Sequence, residues 1–425
     1  MKTVIKGGRV IDPANGRDEV MDILIEDGKI KAVGIGLTAE QTIDAKGMWV
    51  TPGLIDIHVH LREPGFKYKE TIETGTKAAA IGGFTTICPM PNTNPVTDNE
   101  IVVEYINRRA EQVGVVNVVP IGAITKGLKG ESLSNIGEMY EAGIRGISDD
   151  GLSVDNAGVL KTAMKYATMY DLPILSHCED KSLTGGGQIH AGLTAERLGL
   201  KGISTDSESI IVARDIALAR STGARLHICH TSTTESLEHI RAAKARGQNV
   251  TAEVAPHHFI LIDEDITDYD ANYKMHPPLR SRADRAALKE ALRDGTLEVI
   301  ATDHAPHHED EKNCEFELAA NGILGLETSF PLSLTLVEEG LITPSQLIEK
   351  MTINPAKIMR IDRGTLSVGA VADVAILDPE HVYAVDKMTM QSPSKNTPFH
   401  GWEVKGKCRD LFVAGKQVVK GGELC

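Results

Sequence analysis

Apolar runs and amphipathic stretches alternate through the middle of the chain. Eight short runs read as strands: GLIDIHVH, FTTICPM, VVNVVPI, IRGISDD, PILSHC, RLHICH, NVTAEVAP and LEVIATD. Between them lie stretches with apolar residues at helical spacing, such as ETIETGTKAAAIG, SESIIVARDIALARS and TESLEHIRAAKARG. Repeated strand-then-helix units predict an α/β fold with a parallel sheet. Eight such units point to a (β/α)8 barrel, with an open doubly wound sheet as the competing architecture.

Both ends of the chain carry a different pattern. VIKGGRVI is expected to turn at Gly7-Gly8, and ILIEDGKIKAV to turn at Asp27-Gly28, a strong hairpin signal. Near the other end, ADVAILDPE, VYAV and DLFVAGKQVVKGG read as further short strands. One small, sandwich-like β domain built from residues 1–50 and 362–425 is expected, flanking a hydrolase barrel at 51–361. The stretch 305–322 is polar and aperiodic and directly follows the eighth strand. Loops of that kind are usually functional, so it is expected to gate the barrel mouth.

Composition narrows the class. The 425 residues are 41% hydrophobic and 24% charged, ordinary for a globular chain. The length suits a barrel of roughly 250 residues plus a smaller domain. A net charge of −14 argues against nucleic acid or anionic lipid as partners, but not against a small anionic substrate met by local cations. No apolar run is long enough for a membrane span, and the first residues lack a signal peptide's apolar region. The 6 cysteines form no C-x-x-C pair and read as reduced thiols. A cytoplasmic location is expected.

Polar residues gather at the C-terminal ends of the strand-like runs. His58 and His60 end the first, Asp149 and Asp150 the fourth, His177 the fifth, His230 the sixth and Asp303 the eighth. In a barrel those ends build the active site. On a strand, positions i and i+2 face the same way, so His58 and His60 can aim at one point. Burying so many polar groups together is costly unless a cation or dense hydrogen bonding satisfies them. Imidazole and carboxylate donors suit zinc, with iron, cobalt or manganese as alternatives, and four histidines with two carboxylates exceed what one catalytic ion needs. Two metal ions bridged by Asp149 or Asp150 are therefore expected. Cys178 and Cys229, each beside a ligand histidine, are expected to point away and pack.

The segments GLIDIHVHLREPG, GGFTTICPMPNTNP, ISDDG, LSHCED, HICHTST, KMHPPLR, ATDHAPH, GILGLET and SPSKNTPF resemble those of the dihydroorotase family of amidohydrolases. The resemblance implies the barrel with its composite β domain and the reversible cyclisation of N-carbamoyl-L-aspartate to L-dihydroorotate in pyrimidine (UMP) synthesis. It implies two zinc ions. His58, His60 and Asp303 would hold the first, and His177 and His230 the second. Asp150 would bridge them, leaving Asp149 behind it. No lysine ends the fourth strand, which places the chain with members bridged by aspartate rather than carboxylated lysine. Asp303 would take a proton from the attacking hydroxide and deliver it to the departing ring nitrogen. Arg62 and Asn92 would bind the substrate carboxylate, His307 the ring, and backbone around Asn321 and Gly322 the pyrimidine edge. His276 would also face substrate, although asparagine is expected there in many members. A homodimer is implied, and association with aspartate transcarbamoylase is a further possibility within the family.

Two alternatives have distinct signatures. Hydantoinases, dihydropyrimidinases and allantoinases act on rings without a carboxylate, so Arg62 would have no partner there. A non-catalytic partner of aspartate transcarbamoylase could lose metal ligands, whereas every expected ligand is present in this chain.

Overall fold

A computed structural model describes residues 2–425. All eight runs in the middle of the chain form strands, many of them very short. A three-stranded parallel sheet holds Leu54–Val59, Phe84–Pro89 and Asn117–Val118. A six-stranded sheet holds Gly122–Ala123, Ile147–Ser148, Ile174–Ser176, Leu226–Ile228, Val250–Val254 and Val299–Ile300. Its internal pairings are also parallel. Residues 117–123 serve both sheets, because the Ile121 amide donates to Pro89 and the Gly122 amide to Gly146. The last strand returns to the first: His60 N–H donates to His304 O at 2.9 Å, beside a parallel bridge between Val59 and His304.

Asp56 reinforces that return. Its buried carboxylate accepts from the amides of His58 (3.0 Å) and Thr302 (3.1 Å). The pairing of Leu54–Val59 with the second strand slips between Asp56 and Val59. Such a bulge re-aims the side chains that follow it, here towards the sheet's C-terminal end.

Helices follow the strands, and their starts are written locally. Thr71, Asn99, Asn156, Thr233 and Ser281 each accept a backbone N–H in the first turn of Ile72–Ile81, Glu100–Val113, Ala157–Met169, Thr234–Ala245 and Arg282–Asp294. A cap of this kind contributes about 1 kcal/mol. Apolar side chains from these helices and from the strands make one large core. A second cluster, including Ile55, Ile57, Cys88, Ile121, Leu175 and Val299, fills the space enclosed by the strands.

Both ends of the chain meet in a nine-stranded sheet, where Trp49–Pro52 pairs with Lys2–Asp12 on one side and Val374–Ala384 on the other. The Asp27-Gly28 turn joins antiparallel strands as expected. Gly7-Gly8 does not turn the chain. Both lie within the single strand Lys2–Asp12, where the register shifts between Ile5 and Gly8. Gly7 has φ +68°, and a Cβ on Gly8 would come within 2.4 Å of Val50. Glycine pairs allow a bulge as readily as a hairpin, and close packing decided between them here. ADVAILDPE and VYAV likewise merge into one strand, Val374–Ala384. No helix among the described residues is long and apolar enough to cross a membrane.

Removing the Asp56 carboxylate should weaken the contact between the first and last strands. Asp56→Ala is expected to destabilise the fold by about 2–3 kcal/mol, since it strands buried amides. Asp56→Asn, which keeps one acceptor, should lose less. Urea unfolding midpoints check the order; equal midpoints for wild type and Asp56→Ala would contradict it.

Candidate metal and substrate site

The strand ends converge on a cavity of about 260 Å³ lined by His60, Arg62, Asn92, Asp150, His177, His230, His276, Asp303, His307 and Asn321, among others. His58 lies just beneath it, fully buried. Backbone conformation contributes to the convergence. Arg62, His230 and Asp303 have φ of +57°, +29° and +47°, a region that side-chain-bearing residues seldom occupy. Each ends or follows a strand, and at His230 the reversal breaks the alternation of the strand Leu226–Ile228. It also explains a departure from expectation at Cys229. The Cys229 thiol is buried, as expected, but it faces the enclosed core and lies close to His58 and Asp150.

Asp150 is the hub. One of its oxygens lies 3.2 Å from His58 Nε2, 3.5 Å from His230 Nε2 and 3.8 Å from His177 Nδ1. The other lies 3.5 Å from His60 Nε2. Asp303 Oδ1 lies 3.1 Å from His60 Nε2 and 3.5 Å from His58 Nε2. His177 Nδ1 and His230 Nε2 approach to 2.9 Å. Asp149 turns away, accepting from the amides of Ile124 and Thr125 and from the Thr125 hydroxyl.

The donors fit metal ions on three counts. Buried His58 Nε2 and Asp150 Oδ1 have no hydrogen-bond partner, although both point into the cluster. Zinc bonds of about 2.1 Å in a tetrahedral site put ligand atoms roughly 3.4 Å apart, close to the spacings around Asp150 and Asp303. The groups His58–His230–Asp303 and Asp150–His177–His230 are each compact enough to hold a cation.

The electrostatics agree. Burial opposes charge on both partners, yet Asp150, Glu253 and Asp303 drive His58 well above the usual histidine range. Burial likewise opposes the charge on Asp150 and Asp303, but the neighbouring histidines pull both below the usual carboxylate range. The cluster calls for positive charge, which protons or metal cations can supply.

The far side of three histidines is held by residues not singled out in the sequence, or singled out for another role. His58 Nδ1 meets Glu253 Oε1 at 2.5 Å, and His177 Nε2 meets Glu179 Oε2 at 3.3 Å. His60 Nδ1 meets Asn92 Oδ1 at 2.9 Å. Glu253 also accepts from His230 N–H and pairs with His227. Burial would push Glu253 up, but His58 and His227 outweigh it and bring it down to about 2. An acid inside the apolar run NVTAEVAP was the available signal for Glu253. Outer partners of this kind set which ring nitrogen faces the metal.

Arg62, Asn92, His276, His307 and Asn321, expected to face substrate, line the same cavity. Burial lowers Arg62 to about 10, so it remains a cation at neutral pH. His276 stacks on His177 with ring centroids 5.8 Å apart and meets Glu179 Oε1 at 2.6 Å. Asn321 lines the cavity. Gly322 sits behind it; its amide donates to Lys274 O, and its carbonyl accepts from Lys312 and Asn396. His257 and His258 do not line this cavity, and His258 instead meets Pro277 O at 2.9 Å.

Known proteins resemble this chain along its whole length. A dihydro-orotase-like family model matches residues 47–236. The dihydroorotase of Geobacter metallireducens is 54% identical, covering 99% of this chain and 100% of that protein. The chain belongs to the dihydroorotase family. The family's dihydroorotase from Syntrophotalea carbinolica is also 54% identical, covering 98% of each chain. Among solved structures, the L-hydantoinase of Arthrobacter aurescens superposes with a TM-score of 0.90 at 28% identity, covering 100% of this chain and 97% of that one. The fold is thus shared with a hydantoinase.

Glu253 provides a test of the hub. Glu253→Gln is expected to weaken zinc binding by about 10- to 100-fold while the protein stays folded. A competition titration against a chromophoric chelator reads it, and unchanged affinity would show that Glu253 does not orient His58 towards a metal.

Proposed function

We propose that this chain is a zinc-dependent dihydroorotase, interconverting N-carbamoyl-L-aspartate and L-dihydroorotate. The single observation that carries the reading is a buried cation, Arg62, lining the same small cavity as the Asp150–histidine cluster. The closed series of parallel pairings, with the TM-score of 0.90 to a hydantoinase, supports a (β/α)8 barrel bearing a composite β domain. The site then lies at the C-terminal mouth of the barrel, where such enzymes work.

In this reading His58, His60 and Asp303 would hold one zinc and His177 and His230 the other, with Asp150 as a ligand shared by both groups. When bound, the ions supply Lewis acidity and a water acidified to a pKa of about 7. The chain's own groups do the rest. Arg62 and the free amide nitrogen of Asn92 bind the substrate carboxylate and orient the ring. Asp303 is held ionised by the adjacent histidines, so it can accept a proton from the attacking water. Water's oxygen bonds to the ring carbonyl carbon beside the methylene, and the bond to the ureido nitrogen breaks. Asp303 returns its proton to that nitrogen as it leaves. Ring closure is the same path reversed. The six free cysteines of the described chain suit a reducing cytoplasm. A homodimer, and any association with aspartate transcarbamoylase, belong to the same family-based reading.

The direct test is dihydroorotate hydrolysis by purified protein, before and after chelation and zinc return. Activity lost with the metal and recovered with zinc is expected; turnover indifferent to chelation would overturn the proposal. Asp303→Asn should remain folded but lose about 10²- to 10⁴-fold in kcat. Near-normal kcat in that variant would assign the proton transfer to another group.

A further inference from the structure

Arg62 cannot point freely at a substrate. It is buried, and part of its guanidinium is already used. Its Nε donates to Pro306 O at 3.1 Å, and its Nη2 lies 3.2 Å from His307 Nε2. Arginine only donates, so His307 Nε2 must be the acceptor there. The proton of neutral His307 is then on Nδ1, which lies 3.1 Å from Glu311 Oε2. Glu311 is fixed in turn: Lys69 Nζ lies 2.8 Å from Oε1, and the Tyr68 hydroxyl donates to the same oxygen at 3.2 Å. Lys69 Nζ is also 3.5 Å from His307 Nδ1, but its short contact is with the carboxylate.

The chain Lys69–Glu311–His307–Arg62 therefore grips one edge of the guanidinium, the Nε and Nη2 side. The opposite edge, formed by Nη1 and the second Nη2 hydrogen, makes no hydrogen bond among the described residues. That edge presents two parallel N–H groups, the geometry that takes a carboxylate in a bidentate pair. Neither Glu311 nor Lys69 lines the cavity.

We propose that Glu311 is a positioning residue: from outside the pocket it sets the His307 tautomer and so holds the free edge of Arg62 square to the substrate's carboxylate. This rests on the reading of Arg62 as the carboxylate clamp. Glu311 also accepts from the His308 amide at 3.3 Å, a long contact in a partly exposed turn, whereas its neighbour Lys312 donates from a buried ammonium to the carbonyls of Lys274, Ala320 and Gly322 and ties the loop to the body of the protein. Lys312 accordingly serves as a structural control.

A double-mutant cycle on the zinc-loaded enzyme tests the proposal. Glu311→Ala should lower kcat/KM for dihydroorotate by about tenfold, chiefly through KM, with its thermal midpoint near wild type. Glu311→Gln, which keeps an acceptor for His307 Nδ1 but loses the charge facing Lys69, should recover part of that loss. In an Arg62→Ala background the Glu311→Ala change should cost no more than about twofold, because coupled residues are not additive. Lys312→Ala should instead lower the thermal midpoint. Unchanged kcat/KM in Glu311→Ala, alongside a large loss in Arg62→Ala, would overturn this inference and leave the site reading intact. An equal Glu311→Ala loss in both backgrounds would also overturn it, as would a fall in midpoint matching Lys312→Ala. No effect from Arg62→Ala alone would remove the clamp itself, and the inference with it.

Discussion

The structure depends on how one carboxylate, Asp150, is balanced. It is buried, lies within 4 Å of four imidazoles and keeps an oxygen with no hydrogen-bond partner. A carboxylate removed from water without full compensation costs several kcal/mol. The histidines offset this only if positive charge is shared among them. Protons can provide some of it, as the raised His58 indicates. A pair of divalent cations would provide it more completely and would use the lone pairs that now face one another. The surrounding framework keeps that demand in place: Glu253, Asn92 and Glu179 turn the rings, and Asp56 ties the first strand to the last.

The architecture divides the work between two walls. One wall is made of strand ends, short and rigid, and carries the candidate metal ligands. The other belongs to the segment 305–322 and carries His307 and Asn321. That segment is expected from sequence to gate the mouth, yet here it is anchored on several sides. Asn396, in the stretch SPSKNTPF near the C-terminal strands, accepts from His307 N–H and donates to the carbonyls of Ala305 and Gly322. The C-terminal part of the chain thus holds the wall that faces the substrate. This gives a physical reason for a polar motif so far along the sequence from the other site residues.

Much of the site is legible in the sequence because strand ends are. A histidine or aspartate closing an apolar run is conspicuous, and all of the expected ligands meet in the structure. The supporting residues are not legible in the same way. Glu253 stands 195 positions from His58, and Asn396 stands 89 from His307. No local pattern pairs residues so distant; only the closing of the sheet does. Glu311 looks like ordinary surface charge in HHEDEK until the loop is folded against Lys69. At Gly7-Gly8 and around Cys229, local rules of turn and alternation gave way to tight packing and to a left-handed backbone at the next residue. In both cases the energy that decided the outcome was tertiary.

The most direct measurement is anomalous scattering from a crystal of the zinc-loaded protein, collected at the zinc edge. Two peaks on either side of the Asp150 carboxylate are expected, one against His58, His60 and Asp303 and the other against His177 and His230. A single peak, or peaks that leave Asp150 uncontacted, would contradict a cation pair organised by that residue.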